Sequence, residues 1–426
     1  MLPRQEYIDS LIRFRDKPLI KIVTGIRRCG KRTLFEQFQE YLRKDGVPDG
    51  QILNLNFEYG GMSPDTKACN TCGNIKTGKQ LYDYIKDKLL PGVKLYIFFN
   101  EMQLIEDYLK TLFGLSMKKD CDIYVTSPNT HLICGEQAAL FSGRYVEIKM
   151  FPLSFKEYVS MFPNDENIDC LYANYVQSSA LPYVSQLPDS RDRTRYLQGI
   201  FDAIVLKDMV TRRRFPDLLM LQRFARFIFE NIGNTCSINS IAEAMAMDGS
   251  ESSEGRKFSV HTVESYLKSL TDSFIFYKIG RFDIKGKQYL KTGDKYYASD
   301  IGLLCTLLEL ERFNFEKLDG SDCVGGGAVL ENIVFLELLR RGYEVYIGKT
   351  GSAEIDFVAI GDSGTEYYQV ASTVLSADGS ALKRELAPLK AISDHNPKYL
   401  LTMDSAPLKS HNGIKQMNVL NWLLMI

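Results

Sequence analysis

One stretch near the start of the chain, LIKIVTGIRRCGKRTLFEQF from Leu19 to Phe38, constrains the fold most strongly. Its apolar, β-rich beginning predicts a strand, and the residues after it predict a loop that opens a helix. Gly25 and Gly30 have the spacing of a phosphate-binding loop (P-loop), and Lys31 follows directly. In such a loop, backbone N–H groups and the helix N-terminus surround phosphate oxygens, and the lysine reaches the β- and γ-phosphates. We therefore predict a nucleotide-binding site made of consecutive residues: Gly25, Ile26, Arg27, Arg28, Cys29, Gly30, Lys31, Arg32 and Thr33.

Two positions depart from the usual pattern, and both would serve the same metal ion. Arg32 stands where a Ser or Thr hydroxyl normally holds Mg²⁺, and Thr33 cannot replace it because one helical step rotates a side chain by about 100°. The apolar strand KLYIFFNE ends at Asn100 and Glu101, where an Asp for the metal and a Glu for the attacking water are usual. We expect Glu101 to act as the base and Asn100 to be a degenerate metal position. An ordinary buried strand with a polar end is the alternative.

Two later strands supply further candidate residues. Asp122–Thr126 predicts a strand, and Asn129 after it could orient the attacking water, although a simple turn is the alternative. Arg144–Met150 predicts another strand, and Arg144 could meet a phosphate within the chain or across a subunit interface. A surface arginine at a strand end explains Arg144 equally well. Strands that alternate with helices over residues 1–150 predict a three-layer α/β domain.

Composition excludes some classes of protein. The 426 residues are enough for several domains, and the formal net charge of −1 gives no overall basic excess for nucleic acid. No apolar run approaches the ~18 residues of a membrane span, and no secretory signal is visible. The nine cysteines are scattered, apart from the pair Cys69 and Cys72. For this pair an ordinary loop is favoured over a zinc or redox site. We expect a cytoplasmic protein without membrane contact.

The middle of the chain is predicted to be helical and then winged-helix-like. Residues 151–234 carry helical patterns and include a basic segment, Met209–Arg214. For this segment a solvated helix end is favoured over a nucleic-acid contact. Residues 235–324 show the order helix, helix, two-stranded ribbon that is typical of a winged helix. The second helix offers few cations for DNA phosphates. Its polar side includes His261, Glu264 and Lys268. A structural or protein-contact role is therefore favoured over DNA binding.

The last segment, residues 325–426, has the order helix, strands, helix, strand that is typical of restriction-endonuclease-like folds. Active members hold Mg²⁺ with an acid on one strand and Glu-x-Lys on the next. Here Asp356 can be the first acid, with Glu331 on the preceding helix and Glu354 nearby, but the partner strand offers Gln369 followed by Val and Ala. An amide is a weak Mg²⁺ ligand and alanine is none. We expect a degenerate nuclease-like site at Glu331, Asp356 and Gln369, without metal-dependent cleavage.

Together these stretches resemble a large prokaryotic family of AAA-type ATPases with a C-terminal restriction-endonuclease-like domain of unknown function. The resemblance covers nearly the whole chain. It rests on GIRRCGK from residue 25, NLNFE from 54, YIFFNEMQ from 96, DIYVTSPN from 122, FSGRYVEIKMFPLSFKEY from 141, GIFDAIVLKDMV from 199, LENIVFLELLRRGYEVYIGK from 330, EIDFVA from 354 and YYQVA from 367. It implies an ATP-binding AAA-type domain, a winged-helix-like middle and a nuclease-like end. It also implies a Walker A loop at Gly25–Lys31, a Walker B glutamate at Glu101, a sensor asparagine at Asn129 and an arginine at the phosphate end at Arg144.

The departures at Arg32 and Asn100 argue against normal Mg²⁺ binding beside ATP. We therefore predict an AAA-type ATP-binding protein that is a slow or Mg²⁺-impaired ATPase, or a binding-only switch, with nucleotide as its partner. The alternative is a DNA-associated module with a degenerate nuclease-like domain, which predicts salt-dependent binding to duplex DNA. A metal-dependent nuclease is a third possibility, and the missing Glu-x-Lys counts against it. The oligomeric state stays open.

Overall fold

The structure, a computed structural model, describes residues 2–57, 75–130, 132–133, 140–164, 167–205, 218–248, 259–308, 326–351, 353–405 and 409–425. The pair Cys69 and Cys72 and the basic segment Met209–Arg214 lie outside the described residues. The chain divides into two units, Met1–Pro152 with Asp272–Phe274 and Leu153–Thr271 with Ile275–Ile426. Within the described ranges, no helix combines the length and the apolar character needed to cross a bilayer.

The first unit is built on a parallel sheet flanked by helices. Its elements are α1 Gln5–Phe14, β1 Ile20–Thr24, α2 Lys31–Lys44, β2 Ile52–Asn56, α3 Gly78–Lys86, β3 Leu95–Asn100, α4 Tyr108–Ser116, β4 Cys121–Ser127 and β5 Tyr145–Lys149. The five strands pair in parallel in the order β2-β3-β4-β1-β5. The predicted mixed α/β class with a parallel sheet is confirmed for this unit. Because the strands are parallel, all of their carboxyl ends meet at one edge of the sheet.

The two faces of β3 pack against different helices. Phe98 contacts α2, with its ring centroid 5.3 Å from that of Phe35 and 6.2 Å from that of Phe38. Its neighbours Ile97 and Phe99 point the other way and are fully buried in a cluster with apolar residues of α3 and α4. This alternation is what an extended strand produces when it is covered on both faces, and it fixes the strand ends that carry the polar candidates.

The second unit begins with helices and ends in a mixed sheet. Its helices before the sheet are α5 Phe155–Val159, α6 Ile168–Ser178, α7 Ser190–Ala203, α8 Leu218–Glu230, α9 Ile238–Asp248 and α10 Val260–Asp272. Its later elements are β6 Phe276–Asp283, β7 Gln288–Ala298, α11 Ile301–Leu307, α12 Gly326–Arg340, β8 Glu344–Thr350, β9 Ala353–Gly361, β10 Gly364–Ala371, α13 Ser380–Lys390, β11 Lys398–Thr402, β12 Lys409–His411, β13 Ile414–Asn418 and α14 Val419–Leu424. The last residue of α10, Asp272, belongs to the first unit.

One sheet joins the predicted winged-helix ribbon to the C-terminal segment. The order of its eight strands is β12-β13-β11-β10-β9-β8-β6-β7. The β6–β7 hairpin was expected to be the ribbon of a separate segment, but β6 pairs in parallel with β8, with Arg281 opposite Ile347 and Asp283 opposite Lys349. The predicted boundary between residues 324 and 325 therefore divides strands that share one hydrogen-bonded sheet. The unpaired N–H and C=O groups at the edge of a hairpin can bond to a further strand, and the sequence pattern alone does not identify that strand.

Candidate nucleotide-binding site

The loop between β1 and α2 has the backbone geometry that its glycines permit. Gly25 has φ 147° and Gly30 has φ 109°, both in the region that disfavours other residues. A Cβ atom on Gly25 would lie 2.1 Å from the backbone oxygen of Met150, which follows β5. Gly30 precedes Lys31, the first residue of α2, and its carbonyl accepts from the N–H of Leu34 at 2.9 Å. The loop therefore ends at a helix N-terminus, as the motif predicts.

Lys31 is held inside this loop by the loop's own carbonyl groups. Its Nζ atom donates to the oxygen of Gly25 at 2.6 Å and to the oxygen of Ile26 at 2.9 Å. The Sγ atom of Cys29 lies 4.0 Å from the same nitrogen. Lys31 is only 8% exposed. A buried ammonium group needs acceptors, and phosphate oxygens can replace the carbonyl oxygens in that role.

Arg4, before α1, connects the N-terminal segment to this loop. Its guanidinium donates to the backbone oxygen of Phe151 at 3.1 Å and, at 3.4 Å, to that of Cys29 in the loop. The side chain is 4% exposed and lies over the ring of Tyr7 at 4.8 Å. Arg4 was not predicted, because a single arginine before a helix gives no signal of a contact with residues far along the chain.

Glu101, the candidate base, is bound by an arginine of the loop. Its Oε2 atom lies 3.9 Å from Nη2 of Arg27 and accepts from Nε2 of Gln103 at 2.6 Å. The side chains of Glu101 and Arg27 are each 16% exposed. Glu101 has φ 56°, a left-handed conformation that is uncommon outside glycine and is often associated with functional sites. Gln103 and the direct contact with Arg27 were not predicted.

Arg32 and Asn100, the two predicted departures from the usual Mg²⁺-binding residues, do not fit that ion. Asn100 is buried, with its Nδ2 donating to Asn54 Oδ1 at 3.1 Å and its Oδ1 accepting from Thr126 at 3.3 Å. Its amide therefore joins β2 to β4. Arg32 pairs with Glu36 at 2.9 Å, one turn along the same helix. A guanidinium and an occupied amide replace the hydroxyl and the carboxylate that an octahedral ion prefers.

Asn129 lies just after β4, at the same edge of the sheet as the loop. Its backbone oxygen accepts from the hydroxyl of Ser127 at 2.7 Å, and its N–H donates back to that hydroxyl at 3.3 Å. Asn129 is 5% exposed. Because β4 lies between β1 and β3, the structure brings Asn129, Glu101 and the loop to neighbouring strand ends.

Arg144 lies at the opposite end of the strands from the loop, where the parallel strands begin. Tyr145 at the start of β5 pairs with Ile20 at the start of β1, and β1 is five residues long. Arg144 is therefore about 16 Å from the loop along the strand direction. Its Nη1 atom is 2.9 Å from Sδ of Met117, and its guanidinium lies 5.4 Å from the ring centre of Phe113. The expected phosphate contact within the chain is wrong; a role across a subunit interface stays a prediction.

In the second unit, the predicted nuclease-like residues lie on α12, β9 and β10. Glu331 Oε1 is 3.1 Å from Nζ of Lys295, and Asp356 Oδ2 accepts from the N–H of Val370 at 2.8 Å. Gln369 donates to Glu385 Oε2 at 3.1 Å, and its own buried oxygen has no hydrogen-bond partner among the residues that the structure describes.

Lys295 was outside the predicted nuclease-like site. Burial acts to lower its pKa, but Glu331, Asp356 and Glu354 outweigh that effect and raise it. Burial, assisted by Glu331, raises the pKa of Asp356 well above its ordinary value. Lys295 could not be predicted as part of this cluster, since it belongs to a hairpin predicted to lie in another segment.

Known proteins similar to this chain identify its family. A family model described as "AAA domain" matches residues 17–159, and a "Domain of unknown function (DUF8612)" matches residues 171–314. An uncharacterized protein of Haemophilus influenzae is 34% identical over 428 residues, covering 100% of this chain and 99% of the relative. The chain belongs to the family of this Haemophilus protein. An archaeal relative, an uncharacterized protein of Methanocaldococcus jannaschii, is 24% identical over 81% of this chain and 73% of its own length.

This chain therefore matches an AAA-domain model at the position where the P-loop was found. The AAA-domain match spans the loop, Asn100, Glu101, Asn129 and Arg144. The predicted AAA-type domain is confirmed, and a domain of unknown function follows it.

Two solved structures share weaker similarity. A Walker-type ATPase of Pyrococcus abyssi is 16% identical with a TM-score of 0.46, covering 72% of this chain and 96% of its own. The Aeropyrum pernix ORC1 protein, solved in complex with DNA, is 11% identical with a TM-score of 0.31, covering 73% of this chain and 94% of its own. Scores below 0.5 do not establish a common fold over these lengths.

Proposed function

We propose that this chain binds ATP through the loop Gly25–Thr33 and works as a slow, Mg²⁺-impaired ATPase that acts as a nucleotide-dependent switch. The observation that carries the proposal is the buried Lys31 ammonium, held by two carbonyl oxygens at the N-terminus of α2. Lys31 and the N–H groups of the loop would hold the phosphates, and the bound nucleotide would supply the γ-phosphoryl group for transfer to water.

The contact between Arg27 and Glu101 supports the switch. Both side chains lie at the edge of the sheet where the loop would hold the phosphates. Their separation of 3.9 Å makes the ion pair weak enough to exchange partners. A phosphate near the loop competes with Glu101 for the Arg27 guanidinium, because a phosphate offers more negative charge than one carboxylate. Binding of ATP would then release Glu101 toward the attacking water, and loss of the γ-phosphate would restore the pair.

Slow turnover follows from the residues at the two metal positions. Asn100 uses its amide to join Asn54 and Thr126, and Arg32 is paired with Glu36. Arg32 adds positive charge near the phosphates, but a guanidinium cannot bridge phosphate oxygens as an octahedral ion does. Affinity for nucleotide is therefore expected to depend little on Mg²⁺.

A direct test compares Lys31→Met with Lys110→Met in titrations with a fluorescent ATP analogue. Lys110 is a matched control: it lies in the same unit, is 74% exposed and pairs with Asp107 at 3.3 Å. We expect Lys31→Met to lose binding by a factor of about ten or more, since one charge-assisted contact is worth ~1.5–3 kcal/mol. Unchanged affinity in Lys31→Met would contradict nucleotide binding at this loop.

The finer domain assignments are also proposals. The order α12, β8, β9, β10, α13, β11, with β10 and β11 parallel and the earlier pairs antiparallel, supports a restriction-endonuclease-like domain. Helices α9 and α10 before the β6–β7 hairpin support a winged-helix-like segment, and the chain is proposed to work in the cytoplasm.

The nuclease-like order of elements keeps the alternative function open, a DNA-associated module with a degenerate nuclease-like domain. Its test is a gel-shift titration with duplex DNA at several salt concentrations. Binding that weakens steeply with salt would favour the DNA-associated function, and the absence of a shift at low salt would contradict it.

A further inference from the structure

A buried lysine stands at the centre of the nuclease-like cluster. Lys295 on β7 is 5% exposed, and its Nζ atom lies 3.1 Å from Oε1 of Glu331 on α12 and 3.1 Å from Oε1 of Glu354 on β9. The ammonium therefore bridges carboxylates that come from two different elements. Neither carboxylate is close to Lys295 in the sequence, so the bridge exists only because the hairpin joins the C-terminal sheet.

A neighbouring group adds a further contact to each of the two carboxylates. The Tyr297 hydroxyl donates to the same Glu331 oxygen that contacts Lys295. Arg281 on β6 pairs with the second oxygen of Glu354 at 2.7 Å. Two cations thus face two carboxylates, which makes this part of the cluster neutral. Buried carboxylates are stable when they are paired in this way.

The hairpin that carries Lys295 is fixed rigidly against α12. Asn332, the residue after Glu331, is fully buried and exchanges two hydrogen bonds with the backbone of Ala298 at 2.7 and 2.8 Å. These bonds fix the position of β7 along the axis of α12. Lys295 and Glu331 are therefore placed opposite one another by backbone contacts, independently of their charges.

The remaining candidate metal ligands are not part of the contacts around Lys295. Asp356 Oδ2 accepts from the backbone N–H of Val370, and the Gln369 Nε2 donates to Glu385, while the Gln369 oxygen has no hydrogen-bond partner among the described residues. A divalent ion needs several oxygens converging at about 2.0–2.6 Å, whereas the oxygens around Lys295 lie at distances suited to an ammonium group. Across the described part of the chain, no group of three or more His, Cys, Asp or Glu side chains is arranged to hold a metal ion.

We propose that the Lys295 ammonium is a built-in cation that occupies the place of a divalent metal between Glu331 and Glu354. The cluster then ties β7, α12 and β9 together and takes up a divalent cation only when the lysine charge is removed. The proposal gives Glu331 on α12 and Glu354 on β9 a shared cation, although β10 carries Gln369 and Ala371 in place of an acid and a lysine. The proposal concerns the second unit and does not depend on nucleotide binding.

The test measures thermal unfolding of the full chain with and without Mn²⁺, which binds carboxylate sites that also accept Mg²⁺. The variants are Lys295→Met and the matched control Lys278→Met, whose lysine lies on the same hairpin, is 50% exposed and pairs with Asp294 at 2.8 Å. We expect Lys295→Met to unfold at a lower temperature and to regain several degrees with Mn²⁺. Wild type and Lys278→Met should show no Mn²⁺-dependent rise from this site. A Lys295→Met variant that folds but responds to Mn²⁺ no more than the control would overturn the proposal.

A second measurement keeps the proposal testable if Lys295→Met fails to fold. Calorimetric titration of the wild-type chain with Mn²⁺ is compared with the same titration of Glu331→Gln. If the Lys295 ammonium occupies the place of a metal, the two titrations should give identical heats of binding, because neither protein has a free Mn²⁺ site in this cluster. A stoichiometric Mn²⁺ site in wild type that disappears in Glu331→Gln would contradict it.

Discussion

The Arg27 guanidinium of the P-loop lies 3.9 Å from the Glu101 carboxylate at the end of β3. The pair links the loop that would hold phosphates to the group that would activate water. If Glu101 is the base, Glu101→Gln should reduce phosphate release by about 10²-fold or more while binding of the ATP analogue is kept, since Arg27 stays available for phosphate. The exposed residue Glu106 provides the control, Glu106→Gln, which should leave both unchanged. Equal release from both variants would show that Glu101 is not the base.

Restoring the two metal positions together should raise the rate of hydrolysis. Arg32→Ser returns a hydroxyl and releases Glu36, and Asn100→Asp returns a carboxylate where the amide now joins Asn54 and Thr126. Asn54 can turn its amide to donate to the new carboxylate, so the strand pairing need not change. We expect the double variant to release phosphate faster in Mg²⁺ than either single variant. A double variant that is no faster than wild type would refute the metal explanation.

Arg4→Met should weaken both the first unit and its nucleotide site. The substitution removes the hydrogen bonds that Arg4 donates to the backbone oxygens of Cys29 and Phe151, which costs about 1–3 kcal/mol of unfolding free energy. Denaturant unfolding measures this loss, and titration with the ATP analogue measures the accompanying loss of affinity from a less ordered loop. Arg13→Met is the control, because Arg13 lies on α1 and its Nη2 donates to Ser10 at the surface. If Arg4→Met and Arg13→Met behave alike, Arg4 does not support the loop.

Asp356→Asn should make the protein more stable at neutral pH, with a gain that depends on pH. Burial, then Glu331 and Glu385, raise the pKa of Asp356 well above 3.8, against the opposing effect of Lys295 and of the N–H of Val370. A carboxyl with a raised folded pKa binds more protons in the folded state, so stability falls as the pH rises above about 3.8. Unfolding free energies from acidic to neutral pH should show the variant's advantage growing with pH. A difference that does not change with pH would contradict the raised pKa.

Arg144→Ala should leave nucleotide binding by a single copy of the chain unchanged. Arg144 lies about 16 Å from the loop and contacts Phe113 and Met117 instead. If Arg144 acts on a neighbouring copy, the variant should reduce phosphate release only at concentrations where copies associate. Release measured over a dilution series distinguishes the two cases. Reduced nucleotide affinity at the lowest concentration would contradict the observed position.

The local features of the first unit could be predicted from sequence because they depend on neighbouring residues. Strand β1, the loop with Gly25 and Gly30, and the start of α2 at Lys31 follow one another directly. The edge at which Arg144 lies could not be predicted, since it depends on the parallel pairing of β5 with β1. Lys295 was missed for a similar reason: its contact with Glu331 depends on a hairpin joining a sheet whose other strands come later in the chain.

ATP binding at the loop is expected to proceed without the usual help from Mg²⁺. The most direct measurement is titration of a fluorescent ATP analogue with and without Mg²⁺, with phosphate release followed on the same sample. The positions of Arg32 and Asn100 predict tight binding that hardly responds to Mg²⁺, together with slow release or none. Binding that requires Mg²⁺, with steady release of phosphate, would contradict the account and would mean that other groups, such as the Thr33 hydroxyl, rebuild the metal site.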